Sequence, residues 1–163
     1  MHPVIDLLQT NVDVAPDSLA LVTNTHRLSN AQLLRQVEQI AGKLGELGVE
    51  RGDIVVTSLR VELSWPTILA VLYRAAIVMP ATSITKLPFD NPKVLVSETR
   101  VAGFDSSRTV LGSDLLALFK DQTIVEITPS TIESVDEPCW ITHTSGTTGR
   151  PKGILFSYGS ALR

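Results

Sequence analysis

Between Leu33 and Leu47 apolar side chains recur at three- and four-residue steps: Leu33, Val37, Ile40, Leu44 and Leu47, with Leu34 and Ala41 widening the stripe. That period lines one face of an α-helix. Ser29 followed by Gln32 has the spacing of a capping box, in which two side chains supply partners for first-turn amides, so the helix is predicted to begin there. Gly48, just past the last apolar position, suits the left-handed stop that ends many helices.

On either side of this helix the pattern changes. "LALVT" (Leu19 to Thr23) predicts a short strand. Ile54 to Leu59, after a polar Gly-Asp turn, is almost continuously apolar, as in a strand buried on both faces. "ELSWPTILAVLYRAA" is apolar nearly all round and predicts a buried helix, with Ser64 a candidate cap and Pro66 in its first turn. "IVMP" and Lys93 to Ser97 predict two more strands, separated by the turn-rich "TKLPFDNP". Strand, helix, strand, helix and strand at these spacings predict an α/β fold with a mainly parallel sheet flanked by helices. Past residue 100 the signal thins to a short helix near "SDLLALF", a strand near "TIVEI", a polar link "TPSTIESVDEP" and a strand "CWITHT" that runs into a loop; no internal repeat is seen.

Composition narrows the classes. A chain of 163 residues, 44% hydrophobic, has room for one domain with a real core. Its net charge of -3 is spread without basic clusters, so neither nucleic acid nor a membrane surface is an expected partner. The longest apolar run is broken by Arg74 and falls short of the roughly 18 to 20 residues that span a bilayer. The N-terminus carries Asp6 within its apolar part and has no basic lead, unlike a signal peptide, so a cytoplasmic protein is expected. Cys139 is alone, and together with His2, His26 and His143 it does not fall at metal-ligand spacings; a structural role is expected for each, and no metal site. Gly42, Gly45 and Gly48 lie late in a helix, where close packing explains them better than dinucleotide binding. Trp65 and Trp140 are expected in the core, and Asp53 in the turn opened by Gly52.

The chemistry concentrates in "THTSGTTGRPKG", residues 142 to 153. Gly146, Gly149 and Gly153 open backbone conformations closed to other residues, Thr144, Ser145, Thr147 and Thr148 add hydroxyl donors, and Arg150 and Lys152 add charge. Such residues can form a cradle for phosphate oxygens, although an ordinary connecting loop can have the same composition. It is not the G-x-x-x-x-G-K-[ST] loop, and His143 spoils the G-x-S-x-G pattern of a nucleophile elbow. "GILFS" after Lys152 reads as strand, so a helix N-terminus is not the anion-binding device.

"TSGTTGRPKG" resembles the phosphate-binding signature of the adenylate-forming superfamily, which includes acyl- and aryl-CoA synthetases, peptide-synthetase adenylation domains and firefly luciferase. Upstream, "RLSNAQLLRQVEQIAGKLGELGVERGDIVV" and "TILAVLYRAAIVMPAT" are similar to the family's early helix-strand units, in the right order. Departures are His143 where the family often has an aromatic residue, Tyr158 near a usual histidine, Ala76 near a usual glycine, and a shorter segment from Ala81 to Lys93. The resemblance implies a carboxylate attacking ATP to give an acyl-adenylate and pyrophosphate, followed by transfer to the thiol of coenzyme A or phosphopantetheine. It implies that Thr144, Ser145, Gly146, Thr147, Thr148, Gly149 and Lys152 hold the ATP phosphates, with Mg2+ as companion ion and the catalytic lysine outside the chain. On this reading residues 1–163 are the N-terminal part of the AMP-binding large domain, ending just after the phosphate loop (143–153), with the C-terminal domain absent. The parent would be an AMP-forming acid-thiol ligase of acyl-CoA synthetase type. The fragment itself would be inactive and open to self-association. The alternatives are an amino-acid adenylation domain and a non-catalytic phosphate- or nucleotide-binding module.

Overall fold

The computed structural model describes residues 2–81, 84, 92–121, 127–144 and 152–161. In chain order the elements are α1 (Pro3–Val14), β1 (Leu19–Val22), β2 (Arg27–Ser29), α2 (Asn30–Glu46), β3 (Ile54–Ser58), α3 (Val61–Tyr73), β4 (Ile77–Pro80), β5 (Val94–Ser97), β6 (Thr109–Leu111), α4 (Gly112–Lys120), β7 (Pro138–Thr144), β8 (Lys152–Ser157) and the short α5 (Tyr158–Ala161). Six strands form one sheet in the order β6-β5-β3-β4-β7-β8. All its pairings are parallel except β7 with β8, so the predicted mainly parallel sheet flanked by helices is the fold.

Residues on the central strands alternate between two apolar clusters, as the period of two requires. Val55, Val78, Val94 and Val96 join the cluster that holds the buried residues of α1 to α4, including Val37, Ile40, Leu44 and Leu115. Val56, Ile77, Met79 and Leu95 form the other with Ile141, packed by Ala81, Ile84, Val101 and Phe104. The central strands are therefore buried on both faces, which is why Ile54 to Leu59 lacks a polar side.

The capping box at Ser29 is present, with Ser29 Oγ accepting from the Gln32 amide at 3.3 Å and Gln32 Oε1 accepting from the Ser29 amide at 2.9 Å. Gly48 takes φ +71° and Gly52 φ +81°. Asp53 closes its turn by accepting the Glu50 amide at 2.9 Å. Gly45 is a packing glycine, since a Cβ there would lie 3.3 Å from the Arg74 guanidinium carbon. That guanidinium in turn donates to the Val49 carbonyl at 2.9 Å.

Three expectations are corrected. The strand at Leu19 is not in the main sheet; β1 and β2 form a separate antiparallel hairpin with a register shift between Leu19 and Leu21. α3 begins at Val61 rather than at a Ser64 cap, so Pro66 lies beyond the first turn. Its start is set from outside: Arg60, the N-cap, has no side-chain cap bond, and its amide donates to the Glu98 carboxylate beyond β5 at 2.9 Å. Trp65 is 49% exposed rather than in the core, whereas Trp140 packs against the larger cluster. The N-terminus adds the helix α1. Pro3 at its first position, and Ile5, Leu8 and Val12 spaced along it, were the signal. The strand expected near "TIVEI" falls largely on residues 122–126, outside the described ones.

Candidate phosphate-binding site

The predicted loop grows from the β7–β8 hairpin. Trp140 pairs with Phe156, Thr142 with Ile154, His143 with Gly153 and Thr144 with Lys152. β7 runs parallel to β4, with Val78 beside Trp140, so the open end of the hairpin faces the same way as the carboxyl ends of β3, β4 and β5. In open α/β sheets that is the side on which ligands bind. Of the seven residues named for phosphate binding, Thr144 and Lys152 are thus backbone partners; Ser145, Gly146, Thr147, Thr148 and Gly149 lie outside the described residues. Lys152 opens a strand, as "GILFS" predicted.

The hairpin is tied down at its base. The Tyr158 amide donates to the Glu137 carbonyl at 3.0 Å and the Gly159 amide to the Val135 carbonyl at 2.7 Å. A Cβ on Gly159 would lie 3.3 Å from that Val135 oxygen. The Glu137 carboxylate accepts the amides of Glu133 and Ser134 and the Arg51 guanidinium, the last at 2.8 Å. Burial pulls its pKa up, but these donors outweigh burial and leave the carboxyl below its ordinary range. Tyr158 is buried against His2, and burial raises its phenol above the ordinary value. Beneath it Cys139 is buried, and burial pushes its thiol up to about 11.

Beside the hairpin a cleft of about 580 Å³ opens at the carboxyl ends of β3, β4 and β5, lined by Ser58, Arg60, Ser64, Pro80, Ser97 and Glu98 among others. The chain passes from β3 to β4 on one side and then from β4 back to β5 on the other side of β3, so this cleft marks the point where strand order reverses. Ligand crevices of doubly wound sheets form at such points. Arg60 and Glu98 span it, with Arg60 Nε 3.7 Å from Glu98 Oε1, so the cleft carries its own counter-charge. Gly112 lets the carboxylate pass, because a Cβ there would lie 2.8 Å from Glu98 Oε2. The motif reading missed this cleft. Its trace in the sequence is a charged residue just past each of two strands, Arg60 two positions beyond β3 and Glu98 directly after β5.

Among the described residues no group of three His, Cys, Asp or Glu could hold a metal ion, and no helix is long and apolar enough to cross a membrane. His2 is structural, as expected: it caps α1 from a buried position. His26 is exposed in the β1–β2 turn, 2.9 Å from Thr25 Oγ1, which itself donates to Glu62 on α3 at 2.8 Å.

The sequence profile of AMP-binding enzymes matches residues 8–163. The chain belongs to the AMP-binding enzyme family. Among AMP-binding relatives, the 2-succinylbenzoate–CoA ligase of Bacillus licheniformis is 25% identical over 171 residues, covering 98% of this chain and 34% of the ligase. A nonribosomal peptide synthetase of a Lecanicillium species is 24% identical over 175 residues, covering 98% of this chain and 2% of the synthetase. In three dimensions the N-terminal subdomain of Klebsiella oxytoca NpsA, solved in complex with 3-hydroxybenzoyl-AMSN, superposes with a TM-score of 0.75 at 24% identity, over 94% of this chain and 40% of that one. The chain spans about a third or less of the length of these two curated relatives.

Proposed function

We propose that this chain supplies the phosphate-binding part of an ATP-dependent, carboxylate-activating ligase of the acyl-CoA synthetase type. Carboxylate oxygen attacks the α-phosphorus of ATP, the bond to the bridging oxygen breaks, and acyl-adenylate and pyrophosphate result. The thiol sulfur of coenzyme A or of phosphopantetheine then attacks the acyl carbon, the bond from that carbon to the phosphate oxygen breaks, and thioester, AMP and the thiol proton result. Thr144, Ser145, Gly146, Thr147, Thr148, Gly149 and Lys152 hold the β- and γ-phosphates, and the catalytic lysine is supplied from outside this chain. The observation that carries this reading is the Thr144–Lys152 pairing at the open end of the hairpin, on the carboxyl side of the parallel sheet, within a chain of the AMP-binding family.

The residues fit the group. A hairpin loop whose sequence offers hydroxyl donors, three glycines and two cations suits an anion of spread charge. With no three-ligand acidic or histidine cluster among the described residues, Mg2+ is taken to arrive on the nucleotide phosphates, as it does in many phosphate sites. By itself the chain is expected to bind MgATP weakly, to lack turnover, and to self-associate through its uncovered surfaces, where Ile154 and Leu155 on β8 are exposed. The protein is expected in the cytoplasm, acting on a small carboxylic acid without nucleic-acid partners.

A second reading, an amino-acid adenylation domain, is favoured by the peptide-synthetase relative. The test is carboxylate-dependent ATP–pyrophosphate exchange by the full-length protein across fatty, aryl and amino acids. Exchange with fatty or aryl acids alone supports the leading reading, exchange with amino acids alone supports the second, and no exchange with any acid overturns both. A non-catalytic phosphate-binding module would give MgATP binding by calorimetry without exchange.

A further inference from the structure

His2, 2% exposed, places its two ring nitrogens against backbone groups of opposite kind. Nε2 lies 2.6 Å from the Leu72 carbonyl at the end of α3. A carbonyl can only accept, so Nε2 carries a proton. Nδ1 lies 3.4 Å from the Ile5 amide nitrogen in the first turn of α1. An amide can only donate, so Nδ1 carries none. The two contacts together specify the neutral imidazole and its tautomer. Tyr158 Oη is 3.3 Å from the same Nε2, with the rings edge to face at a centroid separation of 5.2 Å. One imidazole thus touches the start of α1, the end of α3 and the residue that follows β8 at the base of the hairpin.

We propose that His2 is a proton-sensitive clasp: neutral, it fastens α1 and the hairpin base to α3; protonated, it loses its cap bond and loosens both. A proton on Nδ1 would point at the Ile5 N–H, setting two donors face to face where burial makes a lost acceptor expensive. The surrounding charges only partly offset this. On α1 the Asp6 carboxylate, which accepts the His2 amide at 2.9 Å, favours the imidazolium. The amino terminus disfavours it. From α3 the Leu72 carbonyl favours it. Tyr158 on α5 and Cys139 on β7 both stay neutral because burial raises their pKa values, and Glu137 lies beyond Tyr158. Burial, the largest influence, lowers the His2 pKa below the ordinary 6.5. The neutral form is the one the fold prefers, so the clasp contributes fully above the ordinary value and is lost as pH falls through the lowered one. The inference is independent of the ligase reading.

The test is a pH titration of the 163-residue chain by NMR between pH 8 and 5, with hydrogen-exchange protection factors read at Ile5 and Gly159. Wild type is expected to titrate His2 below 6.5. Protection at both amides should then fall, by up to about tenfold for each pH unit, between the ordinary 6.5 and the lowered midpoint, and level off below it. His2→Asn keeps a cap oxygen and a donor, so its protection should stay flat with pH. His2→Ala should lack protection at every pH, and if it fails to fold the wild-type and His2→Asn comparison still decides. Protection that does not change while His2 titrates, or a His2→Asn chain with the same pH dependence as wild type, overturns the clasp.

Discussion

Thr144 and Lys152, eight positions apart in the sequence, are backbone partners across the β7–β8 ladder, and between them lies every other residue proposed to hold phosphate. The pairing fixes the backbone position of the lysine at the head of β8, which makes Lys152 the most direct point of attack on the proposed function. Replacing it with alanine removes a charge-assisted bond worth about 1.5 to 3 kcal/mol, so Lys152→Ala in the full-length protein should lower kcat/KM for MgATP about 10- to 150-fold. The Michaelis constant for the carboxylic acid should change much less. Exchange kinetics with each substrate varied in turn measure both, and an unchanged ATP dependence would remove Lys152 from phosphate contact.

How much of this was legible in the sequence depends on how local each determinant is. The α2 helix carries its own start, stripe and stop in Ser29, Leu33 to Leu44 and Gly48, and it formed where the pattern put it. Lys152 reads as the head of a strand because Ile154, Leu155 and Phe156 follow it, and it is one. α3 was misplaced because its first turn is held by Glu98, thirty-eight residues downstream of Arg60, and no local pattern encodes that bond. β1 was assigned to the wrong sheet because four residues state a strand's conformation but not its partner. The cleft between Arg60 and Glu98 was invisible for the same reason: it exists only once β3 and β5 lie side by side.

Ser29 offers a test of the local part. Its hydroxyl and the Gln32 amide side chain satisfy each other's backbone groups at the start of the seventeen-residue α2. Ser29→Ala should cost about 1 kcal/mol, with a range of roughly 0.5 to 2. For a chain of this size that lowers the melting temperature by about 2 to 4 °C per kcal/mol. Thermal unfolding followed by circular dichroism measures it; a variant as stable as wild type would mean that packing alone holds the first turn.

Ala75 is strained in a way the sequence did not announce. It takes φ +51° between α3 and β4, the region that favours glycine, and it is 3% exposed. Its amide is held by the Leu72 carbonyl at 2.8 Å and its own carbonyl accepts the Gly52 amide at 2.9 Å, so the turn cannot relax without breaking both. A β-branched side chain is poorly tolerated there, and Ala75→Val should destabilise by at least about 2 kcal/mol. Ala75→Gly relieves the left-handed strain but loses a buried methyl and loosens the unfolded chain, which should leave it within about 1 kcal/mol of wild type. Urea denaturation of the two variants separates backbone strain from simple packing: if both lose equally, the methyl matters and the dihedral does not.

Cys139 reports on whether the base of the hairpin opens. Its thiol is 2% exposed on β7, and burial raises its pKa to about 11. At pH 8 only about a thousandth of a thiol with that value is thiolate, the form that alkylates. An exposed cysteine, ordinarily near 8.5, is about a quarter thiolate at the same pH. Native-state labelling by iodoacetamide should therefore be at least about a hundredfold slower than labelling of the urea-unfolded chain, with steric burial slowing it further. Because the sign is set by burial, any condition that releases the clasp at His2 without unfolding the sheet should speed labelling before secondary structure is lost. Labelling that keeps pace with global unfolding at every pH would instead make the hairpin base and the core a single cooperative unit.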